Sequence, residues 1–174
     1  MPGSGKSTVG VLLAKALGYS FIDTDLIISR KAKKPLQNIL NEDGIEAFLR
    51  LEEEVGESLE CDHTVVATGG SMVVSEAAMR RLRDIGRVVY IEVPFGEIER
   101  RVTNITTRGI AFKKDETLRN VYETRKPLYE SRSDLILKVA PNDDIEKTVT
   151  RLLDILKTPP AIPASEPPKN EGTP

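Results

Sequence analysis

The chain begins MPGSGKSTVG, and this stretch constrains the fold more than any other feature of the sequence. Its GSGKST part matches the second half of the phosphate-binding pattern G-x-x-x-x-G-K-[ST]. Glycines let backbone N–H groups turn toward an anion, and the N-terminus of the helix that follows adds partial positive charge. Because such a loop connects a buried strand to a helix, the sequence predicts an α/β fold.

The residues expected to hold phosphates are Gly3, Ser4, Gly5, Lys6, Ser7 and Thr8. Lys6 would place its charge between the β- and γ-phosphates of a nucleotide, and the Ser7 hydroxyl would bind Mg²⁺. The alternative is a chance glycine-rich turn before a helix. We disfavour it because an apolar helical pattern starts directly after GKST.

The strand that should precede this loop is missing from the sequence as given. The first glycine of the full pattern would fall one position before Met1, and no other unassigned segment is apolar enough to replace the strand. Since this strand is central in the sheet, its two neighbours would keep unpaired backbone groups. We expect the natural protein to start upstream of Met1, and the chain as given to have low stability and to bind nucleotide poorly.

Short apolar runs alternate with longer amphipathic segments along the rest of the chain. The periodicity predicts helices over 7–17, 26–40 with a break at Pro35, 44–59, 75–85, 95–102, 116–130 with a break near Pro127, and 143–156. It predicts strands over 20–23, 63–68, 87–93 and 134–139. This alternation indicates a three-layer α/β domain around a parallel sheet.

The bulk composition excludes several classes of protein. A net charge of −2 and an aromatic content of 5% give no reason to expect a nucleic-acid partner. No apolar run is long enough to cross a membrane. One cysteine, Cys61, excludes a disulfide framework, and with a single histidine it cannot build a structural zinc site. We therefore expect a cytoplasmic monomer that acts on a small molecule.

Residues 1–157 are expected to form one domain, since a chain of 174 residues can bury one core. From Pro159 onward six of sixteen residues are proline, so residues 158–174 are predicted to form a disordered tail. A plain spacer is one role for such a tail, and a proline-motif docking segment is the other.

Two motifs directly follow predicted strands, at the edge where ligands bind in α/β sheets. Asp23 and Asp25 follow the first strand, where one carboxylate can hold the magnesium shell while the other accepts a hydroxyl proton. The alternative is a solvated turn in which Asp25 caps the next helix. Gly69 and Gly70 follow the second strand, where paired glycines let a ligand approach the backbone closely. A tight turn before the next helix would need glycine as well.

Two arginines complete the set of candidates. Arg108 lies in the polar segment 103–115, whose length and composition are typical of a mobile lid, and a lid arginine can meet a transferring phosphoryl group on closure. A solvated basic loop is the alternative. Arg125, in TRKPLY, could clamp an anionic substrate through two parallel hydrogen bonds. Most arginines are merely surface residues, so this reading depends on the motifs around it.

The motifs occur in a fixed order: GSGKST, DTD, a helix with F-x-R-x-x-E-like spacing, TGG, an arginine lid and R-x-P-L-Y. From Met1 to about Leu156 this order resembles the shikimate kinases. The resemblance implies a five-stranded parallel sheet of the nucleoside-monophosphate-kinase type. It also implies transfer of the γ-phosphoryl group of ATP to the 3-hydroxyl of shikimate with Mg²⁺, a step of aromatic amino acid biosynthesis.

The resemblance implies a role for each candidate residue. Mg²⁺ would be held by Ser7 and, through water, by Asp23. Asp25 would contact the ring hydroxyls of the substrate and serve as the base. The expected catalytic set is then Lys6, Asp25 and Arg108, of which Arg108 would contact the phosphates.

The acceptor side departs from the family pattern. Gly70 and Arg125 are present, and they would contact the substrate and its carboxylate. The family pattern G-E-x-x-F-R-x-x-E, however, reads GIEAFLRLE in this chain. Leu49 stands where the carboxylate-binding arginine belongs. Arg50 is next to it, but one residue along a helix turns a side chain by about 100°, so Arg50 cannot simply substitute.

Three functions remain open at this point. The leading one is a shikimate kinase. The second is a kinase for another acceptor, a reading that Leu49 motivates. The third is a nucleotide-binding but catalytically silent regulatory paralogue. We disfavour the silent paralogue because the chain keeps the candidate residues for phosphoryl transfer, which are Lys6, Ser7, Asp23, Asp25 and Arg108.

Overall fold

The computed structural model of the chain describes residues 1–102, 111, 116–140 and 143–157. The helices are α1 (Lys6–Leu17), α2 (Thr24–Ala32), α3 (Leu36–Glu42), α4 (Gly44–Glu57), α5 (Glu76–Ile85), α6 (Phe95–Arg101), α7 (Leu118–Arg132) and α8 (Ile145–Lys157). The strands are β1 (Ser20–Asp23), β2 (Thr64–Ala67), β3 (Val89–Glu92) and β4 (Leu135–Lys138), and a short 3-10 helix covers Met72–Val74.

Local sequence sets several helix boundaries. α1 ends at Gly18, whose φ of +69° lies in the left-handed region that glycine adopts without strain. Ser75 caps α5, since its hydroxyl accepts a hydrogen bond from the Ala78 N–H at 3.1 Å. Pro35 separates α2 from α3, which confirms the predicted break.

The predicted break near Pro127 is wrong, because α7 continues through it. Proline lacks the N–H that would bond to the carbonyl four residues earlier. Tertiary hydrogen bonds hold the helix on both sides of this position. Arg125 donates to the Gly70 carbonyl oxygen at 3.0 Å. Arg132 donates to the Val73 carbonyl oxygen at 2.8 Å. These contacts offset the lost helical bond.

The four strands form two parallel pairs. β1 lies beside β2, with Ser20 opposite Thr64 at the start of the ladder. β3 lies beside β4, with Val89 opposite Leu135. In the described part of the chain no ladder joins one pair to the other. The predicted α/β class with parallel strands is confirmed, and the sheet stands in two halves.

Helices cover the strands on two sides. Val65 of β2 and Val89 of β3 both pack against the cluster that α1 and α8 form. The next residue of β2, Val66, packs against a different cluster, to which α5 contributes. Because successive side chains of a strand point to opposite faces, these two clusters lie on opposite sides of the strands. Helix, strand and helix therefore form the three predicted layers, and α1 spans both halves of the sheet.

Met1 is part of the core, only 5% exposed, where it packs with Val93 and Ile98. Burial of its amino group lowers the pKa of that amine well below the usual value, and the charges of Lys6 and Arg125 lower it further. The chain directly before the phosphate loop thus lies inside the protein.

Several predictions fall outside the described residues. These are the tail at 158–174 and the lid at 103–115 apart from Ala111, so Arg108 cannot be placed. Within the described ranges, none of the helices combines the length and the apolar character needed to span a bilayer.

Candidate active site

The glycine-rich loop presents the bare N-terminus of α1. Gly5 precedes the helix with φ of +83°, and a Cβ added there would meet nothing within 4 Å. No side chain caps the helix, and its first turn holds no acidic residue. Gly3, with φ of +74°, packs so closely that a Cβ would lie 2.5 Å from Val102. The free backbone N–H groups and the helix dipole make this end of α1 suited to an anion.

Ser7 and Asp23 meet beside this loop. The Ser7 hydroxyl donates a hydrogen bond of 2.7 Å to one carboxylate oxygen of Asp23. The other oxygen accepts the Asp25 backbone N–H at 3.0 Å and so caps α2. The sequence alternative, in which Asp25 is the cap, does not apply. A hydroxyl and one carboxylate are donors that Mg²⁺ accepts when water and phosphate oxygens complete its shell, so the residues present fit that ion.

Thr24 ties the ends of β1 and β2 together, a role that sequence reasoning missed. It is fully buried, and its hydroxyl accepts the backbone N–H of Gly69 at 2.8 Å. The two motifs that follow these strands are therefore fixed to each other. The expectation that they share one edge of the sheet is met by this hydrogen bond.

Arg125 is 7% exposed and reaches the same edge from α7. Its guanidinium donates to the carbonyl oxygens of Gly70 at 3.0 Å and Ala111 at 2.9 Å. Tyr129, one turn further along α7, donates to the Gly70 oxygen as well, at 2.6 Å. Arg125 therefore positions the glycine segment, and it also lines the cavity described next.

A cavity of about 190 Å³ brings these parts together. Lys6, Asp25 and Arg125 line it, as do Gly3 and Gly70. Within the described residues, no ion pair or hydrogen bond engages the Lys6 amine, which leaves its charge available to a ligand. Burial raises the pKa of Asp25, the nearby Lys6 opposes this, and Asp23 adds to it. A carboxylate with a raised pKa is a stronger proton acceptor.

Among the described residues, Ser4, Thr8 and Gly69 do not line this cavity. Ser4 is buried and Thr8 is exposed on α1. Gly69 faces Glu52 instead of the cavity, since a Cβ on Gly69 would lie 2.1 Å from the Glu52 carboxylate.

Glu52, on α4, is the second residue that sequence reasoning missed. It lines the cavity and is 1% exposed. Neither of its carboxylate oxygens has a hydrogen-bond partner of ordinary length and angle among the described residues, although Ser71 is close. The signal was present in the sequence, because Glu52 is the last glutamate of the pattern in which Leu49 replaces arginine. Its burial could not be read from that pattern.

A second cavity of about 160 Å³ adjoins the first. Leu49 and Arg50 line it, and Glu52 and Ser71 belong to both walls. Among the described residues, Arg50 does not line the first cavity. Since Leu49 is not a lining residue of the first cavity either, it stays a prediction that Arg50 does not take the place of the missing arginine.

Fold and site together define a phosphate-binding-loop kinase. A family model described as Shikimate kinase matches residues 2–157. The shikimate kinase of Thermosynechococcus vestitus is 35% identical over 159 residues, which cover 90% of this chain and 86% of that protein. That of a Synechococcus species is 38% identical over 174 residues, covering 96% and 88%.

The solved structure of shikimate kinase from Acinetobacter baumannii in complex with shikimate superposes with a TM-score of 0.79. It is 27% identical and covers 89% of this chain and 88% of that one. The chain belongs to the shikimate kinase family.

Proposed function

We propose that this chain transfers the γ-phosphoryl group of ATP to the 3-hydroxyl of shikimate. The observation that carries the proposal is the first cavity, in which Lys6 and the start of α1 face Asp25 and Arg125. A phosphate-binding element and an acid-lined acceptor pocket in one space are what a small-molecule kinase needs.

On the donor side, the backbone N–H groups from Gly3 to Thr8 would bind the phosphates of ATP. Lys6 would neutralise charge that develops on the transferring group. Mg²⁺, when bound, neutralises phosphate charge, and Ser7 and Asp23 are the residues that would hold it. Arg108 as a lid residue stays a prediction.

On the acceptor side, Arg125 would hold the shikimate carboxylate through the N–H groups that do not bind Gly70 and Ala111. Asp25 would accept the proton of the attacking hydroxyl, for which its raised pKa prepares it. Gly70 would contact the ring. The cytoplasmic location and the monomeric state remain predictions from the sequence.

A second acceptor is kept as a candidate because of Leu49, which leaves Arg125 as the only arginine among the described residues that line the first cavity. Such an acceptor would be another small carboxylated polyol. A catalytically silent paralogue is less well supported, since the Lys6 amine and the Asp25 carboxylate both line the cavity.

The experiment is a coupled assay of ADP release with Mg²⁺ and ATP, run with shikimate and a panel of sugar acids. Turnover with shikimate at the highest kcat/KM supports the proposal. Preference for another acid supports the second candidate, and nucleotide binding without turnover on any acceptor supports the third.

The variant Leu49→Arg sharpens this assay. A restored charge-assisted hydrogen bond should lower the KM for shikimate about tenfold. Leu49→Met is the matched control, because it keeps the size and the apolar character of the side chain.

A further inference from the structure

The buried carboxyl of Glu52 is the polar group that the mechanism above leaves unused. It is 1% exposed and lines the wall between the two cavities. Neither of its oxygens has a hydrogen-bond partner of ordinary length and angle among the described residues, and Ser71 is the nearby donor. Buried polar groups are almost always hydrogen-bonded, so a buried carboxyl on the wall of a ligand pocket without a well-formed bond points to a ligand.

The surroundings of Glu52 are unfavourable to a negative charge. The carboxylates of Glu52 and Asp25 lie close to each other, because both approach Gly69. A Cβ built on Gly69 would lie 2.1 Å from Glu52 Oε1 and 2.9 Å from Asp25 Oδ1. The facing cation is Arg125 of α7, and two of its N–H groups already bind backbone carbonyls. Lys6 lines the same cavity from α1.

These surroundings set the protonation of Glu52. Burial raises the pKa of Glu52 to about 7, and the charge of Asp25 raises it as well. Ser71, as a nearby hydrogen-bond donor, and the charge of Arg125 lower this pKa in part. At neutral pH a large fraction of the molecules therefore carries a neutral Glu52, which is a hydrogen-bond donor.

An anionic acceptor meets this group on entry. A carboxylate held by Arg125 comes to rest in a space that Glu52 also lines. An ionised Glu52 would repel it, whereas a neutral carboxyl would donate a short hydrogen bond to it. The arginine that the family pattern places at position 49 is a leucine here, so the carboxylate gains no help from that side.

We propose that Glu52 in its protonated form donates a hydrogen bond to the carboxylate of the acceptor and is a specificity-determining residue for it. The inference rests on the proposed function, since it requires a carboxylated polyol in this cavity. It predicts that binding of the acceptor takes up a proton whenever Glu52 is ionised beforehand.

The first test measures this proton directly. Titration calorimetry of the full chain with shikimate, in two buffers of different ionisation enthalpy, gives the number of protons taken up. We expect uptake that approaches one proton at pH 8 and is small at pH 6. The methyl ester of shikimate, which has no carboxylate, should show no uptake. Equal values for acid and ester would overturn the proposal.

The second test separates KM from kcat. If only the protonated form binds, the KM for shikimate should rise about 30-fold between pH 6 and pH 8.5. Glu52→Gln, which donates at every pH, should flatten this rise and have the lower KM at pH 8.5. Its neighbour Glu53 lies outside the first cavity, so Glu53→Gln should keep the wild-type profile.

The outcomes distinguish the two proposals. Turnover of shikimate with no proton uptake and an unchanged profile in Glu52→Gln would refute the role of Glu52 and leave the kinase standing. If the wild-type chain neither binds nor phosphorylates shikimate, both proposals fail. Should Glu52→Gln not fold, the comparison of acid and ester on the wild-type chain decides.

Discussion

The Ser7 hydroxyl donates a 2.7 Å hydrogen bond to Asp23, sixteen residues away along the chain. This contact joins the phosphate loop to the end of β1. Asp23 also caps α2, because its second oxygen accepts the Asp25 N–H. One carboxylate therefore both caps a helix and binds the Ser7 hydroxyl of the phosphate loop. Its two roles can be separated by mutation.

Two substitutions of Asp23 should therefore behave differently. Asp23→Asn keeps a good helix cap but lacks the charge, so we expect a normal melting temperature and a Mg²⁺ requirement raised at least about tenfold. Asp23→Ala should in addition lose about 1 kcal/mol of stability. Melting curves and kinetics against Mg²⁺ concentration check this, and equal Mg²⁺ dependence in Asp23→Asn and wild type would rule out a metal role.

Asp25 is expected to act on the acceptor hydroxyl and not on nucleotide binding. Asp25→Asn should lower kcat by about 10²- to 10⁴-fold and leave ATP affinity nearly unchanged. Single-turnover kinetics and a fluorescent nucleotide titration measure the two quantities. A loss of less than threefold in kcat would show that another group takes the proton.

Arg125 should matter for both stability and binding. Arg125→Met leaves the Ala111 carbonyl oxygen without its donor and the Gly70 oxygen with the Tyr129 hydroxyl alone. This loss should cost about 1–3 kcal/mol. The KM for shikimate should rise as well. Exposed Arg119 on the same helix offers a control, since Arg119→Lys should leave both quantities unchanged. A rise in KM without any loss of stability would contradict the positioning role of Arg125.

Glu52 makes stability depend on pH in a defined direction. Its folded-state pKa of about 7 lies above the usual 4.5, so the folded chain binds the proton more tightly than the unfolded chain. Stability should thus fall as pH rises from 4.5 to 7, by about 3 kcal/mol in total. Glu52→Gln should remove this fall, which denaturant unfolding at pH 5 and pH 8 measures. The same fall in wild type and Glu52→Gln would assign it to other groups.

Because the sheet stands in two halves, a strand-forming segment joined to Met1 should raise the melting temperature of the protein. An apolar β-branched segment of five residues joined to Met1 would place strand-forming residues next to the loop and would replace the buried amine by a peptide bond. We expect the melting temperature to rise by about 5 °C or more. A Gly-Ser segment of equal length is the control. Equal melting temperatures for the two extensions would show that the strand edges of β2 and β3 do not take up a strand.

Sequence reasoning worked best where the cause is local. Gly18, Ser75 and Pro35 mark helix ends through their own backbone or side-chain chemistry, and the four strands follow from short apolar runs. Motif spacing predicted the loop residues and Asp25, and the structure places Gly3, Lys6 and Asp25 on the wall of one cavity.

The failures have a tertiary cause. Pro127 lies inside α7 because distant carbonyls hold the helix. Thr24 and Glu52 were missed because their importance comes from burial between elements far apart in sequence. No local pattern distinguishes Thr24 from exposed threonines, and the motif that contains Glu52 does not report its burial.

The most direct test of the account is the position of the phosphate on the product. After incubation of the chain with shikimate, Mg²⁺ and ATP, phosphorus–proton correlation by NMR identifies the phosphorylated carbon. We expect a single product, shikimate 3-phosphate, formed in equal amount to ADP. ADP release without phosphorylated shikimate, or a phosphate on another hydroxyl, would contradict it.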